Sequence, residues 1–299
     1  MTHWIKKNIL EHQSKPFPYP LDLFEDDGYG NRALKLMPTC GELNKFYAKN
    51  FSRKSYQRIG KNLEACRRAW FCRGLLSNCR RETASILEIG SGNGQFLSAC
   101  RTLLKNSSLS AVEFPNPDLS YVASNKQVEC FDALEAIEMK SKSYDLIALW
   151  HVVEHMIDPW SHLIRLLPLL KPNGIIVFSA PNMFCPGVSR FPASWPWNQA
   201  PPVHLWHFGP QNLQKRLEYL FPELMINVFT RESGDANFLF DAFIYPLFFD
   251  RLPKIAKKSI RFQSGVRLCV ACINEVLVNP VLRRKGFGGA EIIALLENL

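Results

Sequence analysis

The sequence predicts a doubly wound α/β fold on a mostly parallel sheet, and three observations carry that expectation. Residues 86–97 read ILEIGSGNGQFL, an apolar run that meets Glu88 and then glycines at alternate positions, Gly90, Gly92 and Gly94. A buried parallel strand leaving its sheet through a tight turn, with a helix restarting near Gln95, has this form, because a Cβ on the turn would block a ligand lying on the backbone. Strand-like apolar runs then alternate with helical stretches. Finally, LSAVEF ends in an acid, Glu113, nineteen residues after Gly94, where nucleoside-binding sheets place a ribose acceptor.

The chain has 299 residues, 47% of them hydrophobic and 21% charged, which suits one large globular domain with additions. Its nine cysteines are scattered, and the opening MTHWIKKNILEHQ has no apolar signal core, so a reducing cytoplasm is expected. Cys269 and Cys272 form a Cys-x-x-Cys without a second pair at zinc spacing, in a stretch that reads as a buried helix. The net charge of +9 is concentrated: residues 251–285 hold nine Lys and Arg against one acid, Glu275. That concentration suits a local patch for an anionic surface better than a whole-surface nucleic-acid binder.

Residues 1–60 form an N-terminal arm or cap with little periodicity, stiffened by Pro16, Pro18 and Pro20. MPTCGELNKFYAKNF (37–51) resembles the lead-in of many small-molecule methyltransferases, where a Pro-x-x-x-Glu-Leu segment starts a helix, and 53–79 is loosely helical and basic, packed on the sheet before its first strand. After the glycine loop a helix from about Gln95 to Leu104 leads to LSAVEF. A short third strand follows around Gln127 to Cys130, and YDLIALW (144–150) is the fourth. Asp158 with Pro159 marks a helix start, Gly174 a turn, IIVFS a fifth strand, and MINVFT (225–230) and AEIIALL (290–296) the last two.

Spacing excludes two nucleotide grips. The dinucleotide pattern needs glycine at the sixth position from Gly90, which is Gln95, and no Gly-Lys-Ser/Thr phosphate loop is present. The pattern Glu88-x-Gly90-x-Gly92-x-Gly94 instead resembles motif I of class I S-adenosylmethionine (SAM) methyltransferases. The run from Trp150 to Pro159, Trp-His-Val-Val-Glu-His-Met-Ile-Asp-Pro, is similar to the strand-four motif of the group that includes ubiquinone-biosynthesis O-methyltransferases. The resemblance implies a Rossmann-like methyltransferase fold of seven strands with an antiparallel last strand, and a SAM-binding core over 61–235. The C-terminal third departs from the minimal family pattern, with a basic helical insertion expected over 236–285 between strands six and seven and a final core strand over 286–299.

The same resemblance implies the cofactor residues. Glu88, Gly90, Ser91, Gly92 and Gly94 form the cradle; Glu113 takes the ribose hydroxyls, with Phe114 beside it; Phe131 covers the adenine and Asp132 takes its amino group, or caps the next helix, or both. Trp150 ends strand four at the ligand crevice. His151, Glu154 and His155 share one face if the segment is helical, but the first position of the related metal-associated Glu-x-x-Glu-His sequence is His151 here, so no metal is expected.

Methyl transfer asks for alignment and dryness, and an alcohol or phenol acceptor also benefits from a base that titrates near neutral pH. His151 and His204 are the candidate proton acceptors, with His155 and His207 in support; for His204 and His207, bracing the aromatic lid at 183–213 is the structural alternative. Neither an Asn/Asp-Pro-Pro-aromatic run nor a Pro-Cys nucleophile is present, so no nucleic acid is expected. The expected acceptor is a small molecule, lipid-linked, quinone-like or sugar. Residues 238–285 combine apolar bulk and basic charge, as an element resting on the anionic inner face of a membrane would, or else form a buried helical cap. The rival function is a non-catalytic scaffold of this fold attached to membrane through that insertion.

Overall fold

The computed structural model describes residues 24–50, 59–78, 83–113, 128–131, 143–185, 188, 203–232 and 289–298. In chain order these give β1 (Phe24–Asp26), β2 (Arg32–Leu34), α1 (Cys40–Asn50), α2 (Ile59–Asn78), β3 (Ser85–Ile89), α3 (Gln95–Leu103), β4 (Ser108–Val112), β5 (Glu129–Phe131) and β6 (Tyr144–Trp150). A 3-10 turn (Val153–His155) follows, then α4 (Pro159–Leu166), β7 (Leu170–Pro181), β8 (Trp206–His207), α5 (Pro210–Leu220), β9 (Met225–Arg231) and β10 (Glu291–Glu297).

Seven strands form one sheet in the order β5-β4-β3-β6-β7-β10-β9. β3, β4, β5, β6 and β7 pair in parallel, and β10 lies antiparallel between β7 and β9. This is the expected architecture, and it aligns the ends of β3, β4, β5 and β6 along one carboxyl edge. Period-two alternation splits the core into two layers. Ile86, Leu146, Ala148 and Val177 pack with Ala69 and Cys72 of α2 and Phe96 and Leu97 of α3. Leu87, Ile147, Leu149 and Phe178 pack on the other side with Leu163 of α4 and Leu213 and Leu217 of α5. All of these core residues are buried.

Local chemistry sets the helix starts. Asp158 accepts from the Ser161 amide at 3.1 Å, and Pro159 occupies the first helical position of α4, as expected. Thr39 and Glu42 form a reciprocal capping box at α1 that the sequence reading did not single out, with Thr39 N to Glu42 Oε2 at 2.9 Å and Glu42 N to Thr39 Oγ1 at 3.3 Å.

One expectation is corrected. The Lys171–Gly174 stretch is not a turn before the fifth strand: β7 starts at Leu170, and the register jumps from Tyr144↔Leu170 to Leu146↔Ile175, so these residues form a bulge within one strand. Asn173 takes a left-handed φ of 58° there, a conformation Asn tolerates better than most residues. The N-terminal segment, expected as an arm or cap, contributes strands that its lack of periodicity did not show. β1 and β2 form a hairpin whose second strand pairs with β8, a three-stranded sheet that buries Phe24, Leu34 and Trp206 in the α4/α5 core layer. Strands of two or three residues are too short to show a period.

One residue gathers the chain at the end of β7. Asn182 bridges Phe208, its amide donates to Ala290 O at 2.8 Å, and its Nδ2 donates to Gly289 O at 2.9 Å. Gly289 lies so close to β9 that a Cβ would meet the carbonyl of Arg231. The expected helical insertion and the inner part of the aromatic lid lie outside the described residues.

Candidate active site

The glycine loop joins β3 to α3 along the carboxyl edge. Gly90, Gly92 and Gly94 have φ of 70°, 54° and 67°, the left-handed region that side-chained residues avoid. At Gly90 space matters as well, since a Cβ would lie 2.5 Å from Val152 Cγ2 in the loop after β6. Gly90 N donates to Val112 O at 2.8 Å, and Gly94 N to Ser91 O at 2.8 Å, which fixes the turn against the end of β4.

Glu113, one residue beyond β4, closes over this turn. Its Oε2 accepts from Gly92 N at 2.5 Å, and its own amide donates to Phe131 O at 3.1 Å at the end of β5. Three strand ends therefore bring Gly90–Gly94, Glu113 and the half-buried Phe131 to one place. Ser91 Oγ is buried there and makes no hydrogen bond. Left-handed glycines, with a Cβ excluded at Gly90, a carboxylate on the loop and an orphaned hydroxyl fit a nucleoside cofactor whose polar edges lie along the backbone. Phe114 and Asp132 lie outside the described residues.

Two other expected cofactor residues sit on the α2/α3 face of the sheet. Glu88 alternates with Ile86, which packs in that layer, and is buried. Trp150 packs edge-on against Phe96 of α3, ring centroids 5.4 Å apart, with the Arg68 guanidinium carbon 5.0 Å above its ring. Its buried indole N–H has no hydrogen-bond partner.

The segment after β6 differs from a single helical face. His151 takes φ 55° at the strand end, and the 3-10 turn starts only at Val153. The bend is held from the backbone, His151 N facing Ser179 O and Ser179 Oγ, each at 3.2 Å. It is held from the ring too: Nδ1 lies 3.1 Å from Glu154 Oε1, and Nε2 lies 3.0 Å from Glu291 Oε1 on β10. Burial alone would lower the imidazole pKa, but the two hydrogen-bonded carboxylates outweigh it and raise it to about 9. With a carboxylate on each ring nitrogen, this geometry favours the protonated ring and a bracing role for His151 beside the sequence expectation of a base.

The remaining imidazoles are placed differently. His155 Nδ1 pairs with Val203 O, and its ring lies 5.0 Å from that of His204, which is buried. Leu205 N donates to Glu154 O at 2.8 Å, so the segment carrying His204 is tied to the turn after β6. Glu154, His155 and His204 each offer a donor atom within 4.8 Å of the others, and Glu154 Oε2 is buried without a hydrogen bond. With Glu154 Oε1 on His151 and His155 on a carbonyl, the trio forms a polar brace beside the crevice. His207 is elsewhere, stacked on Phe24 in the small sheet at 4.5 Å; burial and the nearby Arg32 push its pKa down to about 3, so it stays neutral and structural.

Sequence reading missed an ionic network behind His151. Glu291 Oε2 accepts from Arg231 Nε at 2.7 Å, and its Oε1 from Arg68 at 3.0 Å. Glu64 accepts from Arg67 at 2.9 Å and from Arg231 at 3.2 Å. Burial would raise both carboxyls, but the arginines hold Glu64 below the usual range and, with His151, hold Glu291 well below it. The signal was present: Glu64, Arg67 and Arg68 share a helix face, and Glu291 and Arg231 are charges at the ends of mostly apolar strands.

A methyltransferase domain family matches residues 56–220, more than half of the chain. The chain belongs to that family. It is a SAM-dependent methyltransferase of the class I type. Its fold is shared by the plantazolicin methyltransferase BpumL, solved with a triazolic desmethylPZN analogue and S-adenosylhomocysteine (SAH), at 16% identity and a TM-score of 0.53, over 84% of this chain and 92% of that one. The plantazolicin methyltransferase BamL, solved with the same kind of analogue and SAH, is similar at 14% identity and a TM-score of 0.53, over 88% and 92% of the two chains. No curated protein matches the sequence. Among the described residues of the methyltransferase, no helix is long and apolar enough to cross a membrane.

Proposed function

We propose that this methyltransferase moves the SAM methyl group to an oxygen of a small-molecule acceptor, with a lipid-linked, quinone-like or sugar compound as the favoured class. In this reading Gly90, Ser91, Gly92 and Gly94 cradle the cofactor, Glu113 takes both ribose hydroxyls, Phe131 and Phe114 line the adenine and Asp132 takes its amino group. Bound there, SAM supplies a sulfonium that carries its own leaving group. The chain's residues then need to align the acceptor in line and keep water out.

The observation that carries the oxygen reading is the His155–His204 pair, two imidazoles with ring centroids 5.0 Å apart, His155 on the turn that follows β6 and His204 on the segment before β8 that is tied to it. That turn also contacts the glycine loop through Val152. An acceptor hydroxyl must shed its proton as the new O–CH3 bond forms, and His204, with His155 in support, is the group proposed to take it. His151 acts as a fixed cation. The proposed location is cytoplasmic, peripheral on the inner face of a membrane, with residues 238–285 as the contact; their concentrated basic charge supports this reading.

The test is methyl transfer from labelled SAM to a panel of prenylated phenols, quinols and sugar nucleotides, with His204→Ala alongside wild type. Label in an O-methyl product, with turnover lost in the variant while calorimetric SAH binding persists, is the expected result. Label only on nitrogen, or full turnover without His204, would overturn the oxygen or the base assignment respectively.

A further inference from the structure

Glu291 stands far from the glycine motif in sequence, on the last strand, yet its side chain is fully buried at the carboxyl edge of the sheet. It touches three elements at once. Arg231 comes from β9, Arg68 from α2, and His151 from the bend after β6, all within 3.0 Å of its oxygens. Glu154 grips the opposite nitrogen of the same ring at 3.1 Å.

The ring so gripped belongs to a strained residue. A non-glycine at φ 55° costs on the order of 1 to 2 kcal/mol and persists only where surrounding contacts over-determine it. Here the backbone amide is held by Ser179 and both ring nitrogens by carboxylates, so the contacts suffice. The next residue is Val152, whose side chain fills the space that a Cβ on Gly90 would take. A chain of contacts thus runs from Glu291 through His151 and Val152 to the glycine loop.

We infer that Glu291 is a positioning residue, clamping the His151 ring together with Glu154 and so fixing the bend that walls the SAM cradle. The clamp rests on the SAM reading of the glycine loop for its functional consequence. Its geometry does not. A ring held between two carboxylates donates from both nitrogens and cannot rotate without breaking one bond, whereas a ring with one carboxylate can. The other charged groups around it are Arg67, Arg68 and Glu64 from α2 and Arg231 from β9, with His155 on its own turn. Arg68 and Arg231 bond Glu291 directly, so they fix the clamp rather than compete for the ring.

Two measurements on the full chain test this. Nitrogen-15 NMR of the His151 ring reports its protonation, and calorimetry with SAH from pH 6 to 8 reports the cradle. In wild type the ring should titrate near 9 and SAH affinity should stay flat over that range. In Glu291→Gln the ring should titrate lower by about one pH unit or more, since one charged partner is gone, and SAH should bind severalfold more weakly. A wild-type ring titrating near its ordinary value, or a Glu291→Gln protein unchanged in both readouts, would overturn the clamp. If Glu291→Gln fails to fold because Arg68 and Arg231 lose their partner, Glu154→Gln leaves those pairs intact and is read the same way. A wild type that binds no SAH defeats the cofactor reading, and the ring titration still decides the clamp.

Discussion

Replacing Gly90 with alanine should damage the cofactor cradle through two separable effects. Alanine at φ 70° bears a left-handed strain of about 1 to 2 kcal/mol. Its Cβ would also sit 2.5 Å from Val152 Cγ2, and overpacking of that kind adds roughly 1 to 3 kcal/mol. The sum is at least about 2 kcal/mol, and at roughly 2 to 4 °C per kcal/mol for a domain of this size the melting temperature should fall by about 4 °C or more. If the loop shifts to relieve the clash, the Gly92 amide and the Glu113 carboxylate move with it, and SAH should bind at least about tenfold more weakly, about 1.4 kcal/mol. Calorimetry and thermal denaturation read the two quantities. The double variant Gly90→Ala/Val152→Ala removes the clash and keeps the strain, so it should recover part of the loss. Gly90→Ala with unchanged melting temperature and SAH affinity, or a double variant no better than the single, would refute this reasoning.

Further tests follow from the same geometry. Glu113→Gln exchanges a charged acceptor for a neutral one, and SAH affinity should drop by about ten- to a hundredfold by calorimetry, in line with the roughly 1.5 to 3 kcal/mol of charge-assisted hydrogen bonds. Asp158→Ala removes the α4 cap and should cost about 1 kcal/mol in denaturant unfolding without altering SAH binding. His151 is raised to about 9 in the fold, so the stability it contributes is present below the ordinary histidine value and is lost as pH rises through 9; His151→Asn, which suits the left-handed bend, should flatten the alkaline limb of the melting profile. His207 is lowered to about 3, so the stability linked to it holds above the ordinary histidine value and is lost as pH falls toward 3; His207→Gln should reduce acid sensitivity in that window.

The cradle was legible because backbone geometry writes directly into sequence: three alternate glycines and a strand-end acid are demanded locally, and the structure places Gly92 and Glu113 in contact. Helix α4 was legible for the same reason, through Asp158 and Pro159. The β1–β2 hairpin was not, since strands of three residues carry no period and their partner β8 lies some 170 residues away. The carboxylate clasp on His151 was not legible, because spacing alone could not reveal Glu291, which approaches from 140 residues further along the chain. Long-range ion pairs leave only a weak trace, a charge at the end of a mostly apolar strand, and such a trace does not name its partner.

Asn182 has a consequence for how this enzyme could diversify. The long excursions after β7 and after β9 both return to it, one at Phe208 and the other at Gly289 and Ala290. Each excursion therefore begins and ends at nearly the same point in space, like a cassette plugged into a common socket. Insertions, deletions or whole exchanges within either can proceed without moving the strand ends that carry the glycine loop. A change of length within either leaves the anchoring contacts of Asn182 as they are.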